Sequence, residues 1–194
     1  MPKKILQSKE SILRKTAKEV PVSQIKTPKI QKILREMSAS LKSQHDGVAI
    51  AAPQIGYSLR IFVVSGKVFE PEFAERGVSQ VGGPRGSAAG APADSDPGRR
   101  KSGVKDMVFI NPKISKLSRD KEWIAEGCLS VRWLYGKAYR SKKALVVAHD
   151  QNGKKFTRGG SGLLAQIFQH ETDHLNGVLF IDHAKDIKEE LPEK

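Results

Sequence analysis

The chain has 194 residues, enough for one domain with a real core, and its single cysteine excludes an internal disulfide. Lys and Arg number 34 against 21 Asp and Glu, a net charge of +13 that suits either contact with polyanions (nucleic acid, ribosomes or anionic membranes) or simply a solubilising surface. No apolar run is long enough to span a membrane, and Met1 to Lys18 lacks a signal peptide's apolar centre, so a cytoplasmic protein is expected.

Thr27-Pro28 predicts a helix start, with Thr as N-cap and Pro in the first turn. Ile30, Ile33, Leu34, Met37 and Leu41 then follow at helical spacing, to about residue 44. Gly47 to Gly56 is rich in small residues, which let backbone or ligand approach closely, and it holds one polar side chain, Gln54. Leu59 to Val64 reads as a strand. Between residues 82 and 103, nine of 22 positions are Gly or Pro. Such a stretch cannot bury enough surface to offset its ordering entropy. A mobile insertion is therefore expected at about 66–106, inside a single domain of residues 1–194.

Met107 to Ile110 and Ala144 to Ala148 read as further strands, and Asn152-Gly153 marks a hairpin turn after the latter. Ser161 is the expected N-cap of a last helix. In it Leu163, Ile167, His170 and His174 run beside Leu164, Phe168, Glu171 and Leu175 as one wide core-facing stripe. Gly177 can end that helix in a left-handed conformation. Strands outnumber helices, which predicts an α+β fold with antiparallel or mixed sheets packed around a central helix.

That helix carries His170-Glu171-Thr172-Asp173-His174. Histidines four apart share a helix face and can bind one metal, and Glu171 beside the first can take a proton from activated water. The bland alternative is a pair of core histidines satisfied by hydrogen bonds. Burying two imidazoles and a carboxylate is costly, and a metal offsets that cost. Cys128, in Glu126-Gly127-Cys128-Leu129-Ser130, could be a ligand, a nucleophile or a small buried hydrophobe.

Taken together and in this order, Gly47 to Gly56, Glu126 to Ser130 and His170 to His174 closely resemble the three motifs of the peptide deformylases. The resemblance spans about residues 5–185, apart from the insertion. It implies a metallohydrolase that removes the N-formyl group from the N-terminal methionine of nascent polypeptides and releases formate. Cys128, His170 and His174 would hold one divalent metal, Fe(II) first, with zinc, nickel or cobalt as substitutes. Glu171 would be the general base and then the acid. Gln54 and the Leu129 backbone N–H would stabilise the oxyanion. Val48, Ile124, Leu163, Gln166 and Ile167 would line the methionine pocket, with the peptide backbone pairing near Ala49 as an added strand.

The chain departs from the family pattern at several positions. Ala49 stands where Gly is usual, Ile50 where Leu is usual, Arg132 where Pro is usual, and Gln166 where an apolar residue is usual. A pairing of Glu126 with Arg140 is also implied, beside the alternative of ordinary surface pairs. The tail after His183 is too short for a long ribosome-docking helix, so ribosome contact would rest on the basic surface. A monomer is expected, without specific DNA binding.

Two other readings compete. A metzincin-type zinc protease needs His at position 180, where this chain has Phe180. A non-enzymatic RNA- or ribosome-binding protein would have a closed structural metal site, with His45, His149 or His183 as a fourth ligand.

Overall fold

Thr27 and Pro28 start the first helix as their side chains dictate. In α1 (Pro28–Lys42) the Thr27 hydroxyl accepts from the Ile30 N–H at 3.5 Å, and Pro28 occupies the first turn, where its missing donor costs nothing. The five expected stripe residues are all buried. The helix stops two residues short of the expected end because its last turn tightens: the Gln44 N–H reaches Leu41 O, and the Ser43 hydroxyl donates to Ser40 O at 2.7 Å.

The computed structural model describes residues 1–70 and 104–191. Most of the expected insertion at 66–106 lies outside the described residues. Its two ends are described and adjacent, with the Gly66 N–H donating to Asp106 Oδ1 at 3.1 Å.

Eight strands are described: β1 (Ala49–Ala51), β2 (Ile61–Val64), β3 (Met107–Leu117), β4 (Lys121–Gly127), β5 (Leu134–Ser141), β6 (Lys143–His149), β7 (Lys155–Ser161) and β8 (Lys185–Glu189). Antiparallel pairing makes a five-stranded sheet, β1-β2-β3-β6-β7, and a three-stranded sheet, β4-β5-β8. β2 begins two residues later than expected. Leu59 is instead bridged to Lys18, and Arg60 bonds to Lys18 O through its own N–H. β3 runs beyond Ile110 to Leu117, because its ladder with β6 continues past register shifts as far as Leu117↔Ala144. The tail contributes β8, hydrogen-bonded to β5.

Ser161 does not cap the last helix. It ends β7, and the single residue Gly162 turns the chain into α2 (Leu163–Leu175) at φ 54° and ψ −131°, a conformation open mainly to glycine. At the other end Gly177 takes φ 77°, and the Val178 N–H returns to Asp173 O at 2.9 Å. A side chain at Gly177 would also meet the Arg14 backbone.

Alternation along the strands feeds two cores. Ile50, Ile61, Val63 and Ile110 face α1, whereas Ala51, Phe62, Val64 and Phe109 face α2. Phe62 stacks on Phe109 at 4.5 Å, and Phe168 of α2 meets Phe109 edge-on at 5.3 Å. On the side of the small sheet, Gln169 of α2 accepts from the Ser141 N–H and donates to Ser141 O, each at 3.0 Å. α2 is thus clamped between the sheets, as the α+β reading requires. No helix among the described residues is long and apolar enough to cross a membrane.

Phe168→Ala removes the aromatic contact that seats α2 on the large sheet. It is expected to lower unfolding stability by about 3–5 kcal/mol, read from urea denaturation.

Candidate active site

Helical periodicity places His170 and His174 one turn apart, with ring centroids 4.8 Å from each other. The turn after β4 brings Cys128 to them: its Sγ lies 3.1 Å from His174 Nε2. One ligand atom from each of Cys128, His170 and His174 lies within 4.8 Å of the others, and among the described residues no fourth His, Cys, Asp or Glu joins them. A soft sulfur and two imidazole nitrogens so gathered fit a divalent transition metal, with room for a further ligand.

The orientation of His170 comes from Glu126. The His170 Nδ1 lies 2.7 Å from Glu126 Oε1, so Nδ1–H donates and Nε2 is left for a metal. Glu126 is 1% exposed and also accepts from Arg140, Nε at 3.0 Å and Nη2 at 2.6 Å. The pair is therefore internal and not a surface contact. Arg140 Nη1 then donates to Asp173 Oδ2 at 2.6 Å, returning to α2. Burial opposes the charge on Glu126, yet His170 and Arg140 hold its carboxyl below the usual carboxylate range. Burial opposes a charge on His170, but Glu126 and Cys128 together raise it well above the ordinary histidine value; burial and the neighbouring His170 drive His174 well below it.

Glu171 is 3% exposed, and its Oε2 has no hydrogen-bond partner among the described residues. Burial pushes its carboxyl up to about 7, against the pull of His170. The buried His174 Nδ1 also lacks a partner among the described residues. These unpaired groups around a Cys-His-His cluster fit a metal centre better than a core pair satisfied by hydrogen bonds.

Gln54 stands beside the thiol on a 3-10 turn (Ala52–Ile55) that follows β1. Its Oε1 accepts from the Ala51 N–H at 2.7 Å. Its Nε2 donates to Ser130 Oγ at 3.1 Å and points a second hydrogen at Cys128 Sγ, 3.7 Å away. The Leu129 N–H donates to no described residue, and Leu129 lines the same cleft. Val48, Ala49, Gln166 and Ile167 also line it, with Cys128, His170 and Glu171. Leu163 packs in the adjacent core, and Ile124 is half-buried on β4; neither is among the cleft's lining residues.

Arg132 sits at the cleft mouth. It pairs with Asp46 through Nη1, reaches the other Asp46 oxygen at 3.1 Å, and donates to Gln44 Oε1 at 2.9 Å. Neither this clamp nor the Asp173 and Ser130 contacts were anticipated from sequence. Asp173, one turn from His170 on the helix, was the only local signal. Phe180, at the position of a metzincin's third histidine, is buried with its ring 6.4 Å from that of His170.

The family profile described as Polypeptide deformylase matches residues 2–190. The chain is 34% identical over 175 residues to Peptide deformylase 2 of Clostridium acetobutylicum, covering 90% of each chain. It superposes on a peptide deformylase from Legionella pneumophila with a TM-score of 0.71 at 31% identity, over 96% of this chain and 88% of that one. The Met-Ala-Ser-bound class I type b peptide deformylase from Acinetobacter baumannii gives a TM-score of 0.71 at 26% identity, over 94% and 99%.

Cys128→Ala is expected to abolish metal retention, and Glu126→Gln to weaken metal affinity by about 10–100-fold. Competition against a chromophoric chelator reads both.

Proposed function

This chain belongs to the polypeptide deformylase family, and from that premise we propose that it removes the formyl group from the N-terminal methionine of newly made polypeptides. One water is consumed, and formate and a free amino terminus are released. The observation that carries this reading is the convergence of Cys128, His170 and His174 beside a cleft with the buried carboxylate of Glu171, whose Oε2 has no partner among the described residues.

A divalent metal held by these three side chains supplies Lewis-acid chemistry, acidifying water and polarising a carbonyl oxygen. Glu171 takes the proton of the attacking water as the new C–O bond forms. It delivers that proton to the leaving nitrogen as the C–N bond breaks. A carboxyl raised to about 7 suits both tasks near neutral pH. The Leu129 N–H and the Gln54 amide meet the negative charge that grows on the formyl oxygen. Gln54 is held for this by its bonds to the Ala51 N–H and Ser130.

The peptide backbone lies along β1, an edge strand of the large sheet, at Ala49. The methionine side chain extends toward Val48, Gln166 and Ile167, with Leu163 and Ile124 behind them. Arg132, clamped to Asp46, shapes the mouth through which the chain enters. Fe(II) is the native ion, with zinc, nickel or cobalt as replacements; a thiolate and two imidazoles suit all four. The protein acts as a cytoplasmic monomer. The net charge of +13 favours encounter with the ribosome.

Formate release from formyl-Met-Ala-Ser by anaerobically prepared, Fe(II)- or Ni(II)-loaded protein tests the assignment. The wild type is expected to turn over, and Glu171→Gln to lose turnover while keeping its metal. A folded, metal-loaded wild type that releases no formate would refute the reading. Gln54→Ala is expected to lower kcat by roughly 10²–10³-fold, measured in the same assay.

A further inference from the structure

The stretch of cleft wall formed by Val48, Ala49 and Ile167 also carries one polar residue. Gln166 lies one turn before His170 on α2 and lines the cleft beside Val48, Ala49 and Ile167. It is 3% exposed. Its Nε2 donates to Ala125 O at 2.9 Å and to Glu126 Oε2 at 3.3 Å. Both partners are pure acceptors, so chemistry fixes the nitrogen on that side: a flipped amide would set oxygen against two oxygens. Both amide hydrogens are thereby committed. The Gln166 carbonyl oxygen accepts no hydrogen bond from any described residue. That oxygen still reaches solvent, so whatever displaces water from the cleft decides whether it keeps a donor.

We propose that Gln166 determines which first side chains the enzyme accepts, through a hydrogen bond to its carbonyl oxygen. The inference rests on the deformylase reading. The first side chain branches from the carbon next to the formylated nitrogen, so it enters the cleft within reach of a residue one helical turn from His170. An unbranched chain ending in an N–H donor, such as a glutamine amide, satisfies the Gln166 oxygen. A purely apolar chain of the same length leaves that oxygen dry or forces it to keep a water. The pocket therefore favours N-formyl peptides whose first side chain is linear and donor-tipped, relative to the same pocket with an apolar residue at 166. Gln166 cannot turn its NH2 toward substrate without giving up Ala125 and the carboxylate that orients His170, so the preference is for donors and not acceptors.

The test compares formate release from formyl-Met-Ala-Ser, formyl-norleucyl-Ala-Ser and formyl-Gln-Ala-Ser, using metal-loaded full-length wild type and Gln166→Met. Methionine keeps the length of the side chain and removes the amide. The readout is the ratio of kcat/KM for the glutamine peptide to that for the norleucine peptide. That ratio is independent of the fraction of active protein, so a loss of folding yield does not imitate the effect. Gln166→Met is expected to lower the ratio by about tenfold or more. Formate from the methionine peptide with an unchanged ratio would overturn this inference and leave the deformylase reading standing. No formate from any peptide, with metal bound, would overturn that reading and this inference with it.

Discussion

The carboxylate of Glu126 is the point on which the rest of the site depends. It is almost fully buried, and it accepts hydrogen bonds from His170, from two nitrogens of Arg140 and from Gln166. Arg140 continues to Asp173. One ionic network thus joins β4, β5 and α2, the elements that carry or orient Cys128, His170 and His174, the three side chains that could hold a metal. Removing one member of such a buried pair leaves an uncompensated charge, a loss on the order of 3–5 kcal/mol. The Glu126 network therefore fixes geometry at a cost that a loosely placed surface pair would not bear.

The arrangement gives the two carboxylates beside His170 opposite characters. Glu126 is surrounded by donors and stays ionised. Glu171, next in sequence to His170, has burial without donors, and its affinity for a proton rises. The first orients His170, and the second holds a proton more readily than an ordinary carboxylate. The difference lies in the partners supplied by β4 and β5 and not in the residue type.

The fold serves this division of labour. The large sheet and its phenylalanine contacts set α2 in place from one side. The small sheet grips it from the other through Gln169, Arg140 and Glu126. A further wall of the cleft is built from a separate stretch, Gly47 to Gln54. Its own closing contact is the Ala51 N–H on Gln54 Oε1, and Ser130 ties it to the cysteine turn. Three segments distant in sequence meet in the cleft, tied to one another by Gln54 on Ser130 and by Glu126 on His170.

The sequence by itself determined whatever depends on spacing along one element. The stripe and cap of α1, the pair of histidines one turn apart on α2, and the glycine that ends α2 follow from helical periodicity and from φ preferences. The Gly/Pro-rich insertion is an expectation from composition, and most of it lies outside the described residues. Spacing alone left Cys128 open between core and ligand; the likeness to a family's motifs suggested its role, and the fold shows it 3.1 Å from His174. Strand limits were harder, because pairing partners set them: β3 extends as far as β6 offers a ladder, and the charged tail becomes β8 because β5 has a free edge. Ser161 looked like a cap, but β7 claims it, and Gly162 makes the turn. Only the tertiary structure decided that Glu126 and Arg140 are buried together, that Asp173 completes their network, and that Arg132 clamps Asp46 at the cleft mouth. Those contacts join residues up to 86 positions apart, and a charge becomes structural only once packing has removed the water around it.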